Sequence, residues 1–180
     1  MISGAASAHE SCRLVVLQAM LTVRIATPDD KDAIWAILEP VIRAGETYTL
    51  ARDISRDAAL AFWFSASHEV FVAADNGAVI GTYFLRPNQG GGGSHVANCG
   101  YVTATDSTGK GVARGMCAHS LEHAKERGFR AMQFNFVVAT NERAVRLWKS
   151  FGFEIVGTLR QAFLHPILGY VDAFVMYRLL

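Results

Sequence analysis

Apolar and polar residues alternate with period two over residues 21–25, Leu-Thr-Val-Arg-Ile, which predicts a half-buried strand. Thr27-Pro28-Asp29-Asp30 then supplies an N-cap, a proline at the first helical position and acids in the first turn. The helix it starts runs to about Ala44. A second helix begins near Ser55 and ends near Ser67. Its aromatic residues Phe62, Trp63 and Phe64 read as core packing. Two apolar runs, 70–74 and 79–85, flank Asp75-Asn76-Gly77, the signature of a hairpin turn. The glycine tract at 89–94 reads as a flexible loop. A strand at 95–103, a helix at 111–127 closed by Gly128 and a strand at 131–138 follow. Thr140-Asn141-Glu142 caps a helix through Ser150, and Gly152 ends it. Strands at 154–162 and 170–179 finish the chain, separated by residues 165–169. The order β-α-α-β-β-β-α-β-α-β-β predicts one α/β domain, a mixed sheet with helices on both faces. No internal repeat and no domain linker interrupts it.

The chemistry starts at the junction of the 95–103 strand and the helix after it. Gly109-Lys110-Gly111-Val112-Ala113-Arg114-Gly115 is a glycine-rich turn that opens a helix. Its unpaired backbone N–H groups sit at the positive end of the helix dipole and suit a phosphate. A P-loop would need glycine at 104 and Ser or Thr at 111, where Ala104 and Gly111 stand. A dinucleotide turn would need its third glycine one residue earlier than Gly115 and an acid ending the next strand.

Composition narrows the partners. Half of the 180 residues are hydrophobic and 18% are charged, so the chain should fold as one domain with a substantial core. A net charge of +1 argues against nucleic acid, which needs a concentrated basic face. No apolar run is long enough to span a bilayer, so no membrane partner is expected. Cys12, Cys99 and Cys117 form an odd, unpatterned set, read as reduced thiols of a cytoplasmic protein. Arg13 and the short apolar run behind it make a poor signal peptide, with no small-residue cleavage site. Met20 offers an alternative start, so residues 1–19 read as an N-terminal extension and 20–180 as the domain.

Two motifs in order carry a family resemblance. Thr108-Gly-Lys-Gly111-Val-Ala113 is similar to the phosphate signature Gln/Arg-x-x-Gly-x-Gly/Ala of the GNAT family of acyl-CoA-dependent N-acetyltransferases, with Thr108 in place of the long polar residue. Asn141-Glu-Arg-Ala-Val-Arg-Leu147-Trp148-Lys-Ser-Phe151-Gly152-Phe153 resembles the second signature, a helix ending in Gly-Phe. The resemblance covers about residues 21–180. It implies a mostly antiparallel sheet splayed between strands 4 and 5, with acetyl-CoA as cosubstrate in the gap and no metal. It places Tyr101, Val102 and Thr103 beside the pantetheine arm as an added strand would lie. Gly109, Lys110, Gly111, Val112, Ala113 and Arg114 would wrap the pyrophosphate, and Asn141 would reach the pantetheine amides. Lys110 and Arg114 read equally as solvated charges, and Asn141 as a helix cap.

Acetyl transfer to an amine needs a neutral amine, a stabilised oxyanion and a leaving thiolate. Many relatives place a tyrosine acid before Gly-Phe; here the slot reads Leu147-Trp148-Lys149, and indole cannot supply that proton. Trp148 is assigned to the cofactor instead. Asn98 and Asn135 are polar side chains in apolar strands, where a buried amide needs partners. Asn98, Asn135 and Asn141 together resemble the branch that acetylates proline analogues such as azetidine-2-carboxylate. The resemblance assigns Asn98 to orienting the amine and polarising the thioester, and Asn135 to substrate binding. Glu46, Tyr48 and Tyr83 lie where the family builds its acceptor pocket, and each reads equally as a loop or core residue. A carboxylate-bearing acceptor, as in phosphinothricin-type enzymes, would want Arg52, Arg86 or Arg160. His119 and His123, four apart on one helix, read as a solvated face without a third metal ligand. Cys99 lacks a histidine partner for nucleophilic work. The leading expectation is an acetyl-CoA-dependent N-acetyltransferase of a small amine, an amino or imino acid or a toxic analogue. Acetylation of protein N-termini or lysines, and a non-catalytic acyl-CoA sensor, stand as alternatives. The apolar stretch 163–180 offers a surface for a homodimer.

Overall fold

The computed structural model describes residues 21–180; the expectation for residues 1–19 and Cys12 lies outside the described residues. Strands β1 (Thr22–Ile25), β2 (Glu69–Asp75), β3 (Ala78–Pro87), β4 (Val96–Thr103), β5 (Ala131–Val138), β6 (Glu154–His165) and β7 (Gly169–Leu179) form one sheet, ordered β1-β2-β3-β4-β5-β7-β6. Neighbours run antiparallel except β4 and β5, which are parallel. Helices α1 (Lys31–Ala44), α2 (Arg56–Trp63), α3 (Val112–Glu126) and α4 (Glu142–Ser150) cover it. The element order is the one the hydrophobic pattern predicts, and β5 and α4 have the predicted bounds.

Strand parity sorts side chains between two cores. Val70 and Val72 of β2, Phe84 of β3 and Val102 of β4 pack with Ile34, Leu38 and Ile42 of α1 and Trp63 of α2. Phe71, Ala73, Tyr83, Leu85, Ala97 and Cys99 pack with Met116, Cys117 and Leu121 of α3 and Trp148 of α4. α1 and α2 therefore cover one face, and α3 and α4 the other. A 3-10 turn at Pro28–Asp30, with a capping box at Thr27 and Asp30, leads into helix α1. Asp30 accepts from the Thr27 backbone at 2.7 Å and holds Arg24 through two 2.7 Å bonds.

The sheet opens in the middle. The β4–β5 ladder holds only Val96 with Ala131 and Ala97 with Met132, then stops. Beyond it the β5-facing backbone of β4 has no strand partner, the splay that the resemblance implied. β5 is irregular on its other side too, with a register shift against β7 between Phe134 and Val137 that leaves Asn135 and Phe136 out of the ladder.

Several local expectations change. The second helix stops at Trp63, well short of Ser67. Phe62 is 41% exposed while Trp63 is fully buried, so the aromatic trio is not all core. The glycine tract contains a 3-10 turn at Gly91–Gly93. β6 continues to His165 through a kink where Gln161 takes φ +51° and the register with β7 shifts. His119 and His123 do not form a solvated face. His119 Nδ1 lies 2.7 Å from the Tyr83 hydroxyl, and His123 Nε2 lies 2.8 Å from Glu69, so α3 turns both against β2 and β3.

Candidate active site

Two cavities meet where β4 and β5 part. One, of about 400 Å³, opens on the α1–α2 side and is lined by Tyr48, Phe62, Phe84, Arg86, Asn98 and Asn135 among others. The other, of about 490 Å³, lies between the turn before α3 and the start of α4. Tyr101, Thr103, Asn141, Ala144 and Trp148 belong to the walls of both. A bent, two-armed cleft results, with one arm lined by polar amides and aromatic rings and the other by a glycine turn and arginines.

The second arm fits a phosphate. Gly109, Gly111, Ala113 and Arg114 line it. Gly109 and Gly111 take φ +91° and +84°, a left-handed conformation that a side chain would strain. Gly111 is the residue capping α3, and no protein atom lies within 4 Å of where its Cβ would be. The N–H groups of Gly111, Val112, Ala113 and Arg114 donate to no backbone carbonyl among the described residues, at the head of a 15-residue helix, whereas Lys110 N–H donates to the Ser107 carbonyl at 3.4 Å. Val112 drives its side chain into the core beneath. Arg114 lies over the Phe151 ring and donates to Ser150 Oγ at 3.1 Å. Lys110 is exposed and is not part of the arm's wall.

Two further wall residues escaped the sequence reading, Arg143 and Arg146 on the first turns of α4. Arg146 is paired with Glu142 at 2.9 Å. Arg143 has no carboxylate partner among the described residues, and its Nη2 would sit 3.2 Å from a Cβ at Gly109. Cationic charge lost at Thr108 is thus available from α4. In sequence these arginines look like ordinary helix-surface residues; only the approach of α4 to the α3 turn gives them a task.

The amide-lined arm is built by cross-strand register. Arg86 pairs with Asn98, and Phe84 with Gly100, across β3 and β4. Asn98 is 7% exposed. Its Nδ2 donates to the Gln133 carbonyl at 2.9 Å, a side-chain tie laid across the gap just past the last β4–β5 backbone pair. Its Oδ1 accepts from Arg86 Nε at 3.3 Å. One N–H and one lone pair of this amide remain for a ligand. Asn135 Nδ2 donates to Asn88 Oδ1 at 2.6 Å, and its Oδ1 accepts from Gln133 Nε2 at 2.8 Å. Gly100 is required by close approach, since a Cβ there would come within 2.6 Å of the Phe84 ring and 3.1 Å of the Tyr48 hydroxyl.

The remaining residues divide by parity and loop position. Tyr48 reaches over Gly100 and donates to the Tyr101 carbonyl at 3.1 Å. Tyr101 turns its ring to the opposite face, where its hydroxyl meets Ser120 Oγ at 2.6 Å. Tyr83 shares that face and is fully buried, away from the cleft. Glu46 lines a separate cavity with Thr140, Asn141 and His165. Arg52 is tied to the Arg43 carbonyl at 2.8 Å, and Arg160 is exposed on β6, so of the three arginines only Arg86 enters the cleft. Asn141 caps α4, accepting from Ala144 N at 3.2 Å, which leaves its amide N–H groups available. Trp148 packs on Tyr101 and Phe134, each at a ring distance of 5.0 Å, and floors the junction.

Among the described residues, no histidine, aspartate or glutamate lines the arm that holds Asn98. Burial raises the pKa values of Tyr48, Tyr101 and Cys99 well above their ordinary range, so all three stay neutral at ordinary pH. These walls can bind and orient an amine and a thioester. They hold no group suited to taking the amine's proton or to acting as a thiolate nucleophile.

Comparison with known proteins agrees with this geometry. The model of the acetyltransferase (GNAT) family matches residues 35–153. The chain therefore belongs to the GNAT family of acyl-CoA-dependent N-acetyltransferases and is an acyltransferase. The N-acetyltransferase aca1 of Schizosaccharomyces pombe is 28% identical over 151 residues, covering 74% of this chain and 72% of that protein. A GCN5-related N-acetyltransferase from Kribbella flavida is 40% identical with a TM-score of 0.85, covering 89% of this chain and 98% of that structure. A phosphinothricin acetyltransferase from Sinorhizobium meliloti, solved in complex with AcCoA, shares the fold at 21% identity and TM-score 0.78, covering 89% of this chain and 88% of its own.

Proposed function

We propose that this enzyme transfers the acetyl group of acetyl-CoA directly to the nitrogen of a small amine, an amino or imino acid of the azetidine-2-carboxylate type. The observation that carries the reading is the junction at Tyr101 and Trp148, where the glycine-turn arm and the asparagine-lined arm join. The pyrophosphate lies on the backbone of Gly109, Gly111, Val112 and Ala113, with Arg114 beside it. The pantetheine arm runs along Tyr101, Val102 and Thr103, using the β4 backbone that β5 leaves free, and reaches Asn141. Trp148 backs the thioester.

Asn98 then holds the amine through its free lone pair and offers its free N–H to the carbonyl oxygen. Asn135 and Tyr48 bound the acceptor. The nitrogen attacks the thioester carbon, the C–S bond breaks, and the amine's surplus proton leaves through water. CoA thiolate leaves without an acid. The test is thiol release from acetyl-CoA with purified protein and a panel of amines that includes proline analogues and phosphinothricin. Turnover confined to small amino or imino acids supports the reading. Binding of acetyl-CoA with no turnover on any amine supports a sensor, and turnover only on peptides supports a protein acetyltransferase.

A further inference from the structure

Among the described residues, Arg86 is the only formally charged one lining the arm that holds Asn98, and it has no carboxylate partner there. Some other arginines are paired with carboxylates, whereas Arg143 of the glycine-turn arm, like Arg86, is not. Arg24 pairs with Asp30, Arg127 with Glu69, and Arg146 with Glu142. Arg86 spends only its Nε, on Asn98 Oδ1, so its two Nη groups remain for an incoming ligand. It is half-buried and shares the cavity wall with Phe62, Phe84 and Phe136. Phe62 meets Phe84 edge-on at 6.1 Å. A half-buried guanidinium facing the cleft with both Nη groups uncommitted is available to an incoming anion.

We propose that Arg86 receives the carboxylate of the acceptor, so that the cleft selects amines bearing an anionic group close to the nitrogen. The inference rests on the acetyl-transfer reading above and assigns the acceptor's second anchor. The planar fork of guanidinium matches a carboxylate with two parallel bonds. The Arg86–Asn98 bond places that anchor beside the amide that holds the amine, within the reach of a 2-amino or 2-imino acid. Cationic acceptors such as lysine side chains or polyamines meet a like charge here and no acid to offset it. The walls therefore discriminate by charge as well as by size.

The experiment compares azetidine-2-carboxylate with its carboxamide, in the parent enzyme and in Arg86→Gln and Arg86→Lys. The parent is expected to favour the acid by about 10- to 100-fold in kcat/KM, the range of a charge-assisted hydrogen bond. Arg86→Gln should collapse that ratio to within about threefold, chiefly through KM, and leave acetyl-CoA affinity by calorimetry unchanged. Arg86→Lys should retain part of the ratio, since it keeps the charge and loses the fork. A parent that acetylates acid and amide equally overturns the proposal. So does an Arg86→Gln that slows both acceptors alike, because Arg86 would then only prop Asn98. If the parent turns over neither compound, titrating both into the CoA-bound protein decides. Arg86-dependent binding of the acid sustains this assignment while the transfer reading fails, and no binding of either overturns it.

Discussion

Replacing Asn98 with alanine perturbs the cleft where β4 and β5 separate. The substitution removes the 2.9 Å bond to the Gln133 carbonyl and the longer 3.3 Å bond from Arg86. A neutral hydrogen bond is worth about 1 kcal/mol net, and a stranded buried carbonyl adds up to about 2 kcal/mol more. The cleft lets water reach the vacated space, so the loss should stay near 1–2 kcal/mol, or roughly 2–8 °C in Tm for a chain of this size. The protein therefore remains folded in an assay at 25 °C. The catalytic loss is larger. One free N–H and one free lone pair disappear from the reacting centre, and removing a single donor to a developing oxyanion costs on the order of 100-fold. The assay is thiol release at saturating acetyl-CoA with the amine that gives the highest kcat/KM, alongside a calorimetric check that acetyl-CoA affinity is unchanged. A variant within about threefold of the parent refutes the role given to Asn98.

Three other outcomes follow from the same structure. Arg143→Ala should weaken acetyl-CoA binding by about 3- to 10-fold, and by less as salt is raised, because its exposed guanidinium faces the glycine turn; isothermal titration at two ionic strengths checks it. Cys99→Ala should keep turnover within about threefold, since burial holds that thiol neutral; a lost activity together with an acyl-enzyme adduct by mass spectrometry would point to the nucleophile excluded above. Asp30 is held well below the usual carboxylate range by Arg24 and the Thr27 donors, so its contribution is present above pH 4 and fades as pH falls through its folded-state value. Asp30→Ala should cost about 2 kcal/mol at pH 7 and progressively less in acid, measured by urea unfolding from pH 7 to pH 2.

Local signals carried most of the architecture. The Thr27-Pro28 cap, the Asp75-Asn76-Gly77 turn, the glycine-opened α3 and the Asn141 cap each mark an element boundary with a backbone reason, and all four fall where the sequence places them. The glycine turn was legible for the same reason: its chemistry is backbone geometry, written in Gly109 and Gly111. What escaped depends on register and on distant elements. Arg52, Arg86 and Arg160 look alike in sequence; the pairing of Arg86 with Asn98 across β3 and β4 separates them. Tyr83 is one residue from the cleft face and points away, and Phe62 leaves the core because helical spacing turns it off the face that buries Ala59, Leu60 and Trp63. The histidines of α3 find Tyr83 and Glu69 only after the helix has packed on β2 and β3.

The central claim is direct acetyl transfer from acetyl-CoA to a small amine held at Asn98. A single-turnover reaction with carbonyl-labelled acetyl-CoA and azetidine-2-carboxylate, followed by mass spectrometry of both acceptor and protein, tests it most closely. Labelled N-acetyl product, stoichiometric free CoA and an unlabelled protein are expected. Bound but unconsumed acetyl-CoA, or label accumulating on the protein, would contradict it.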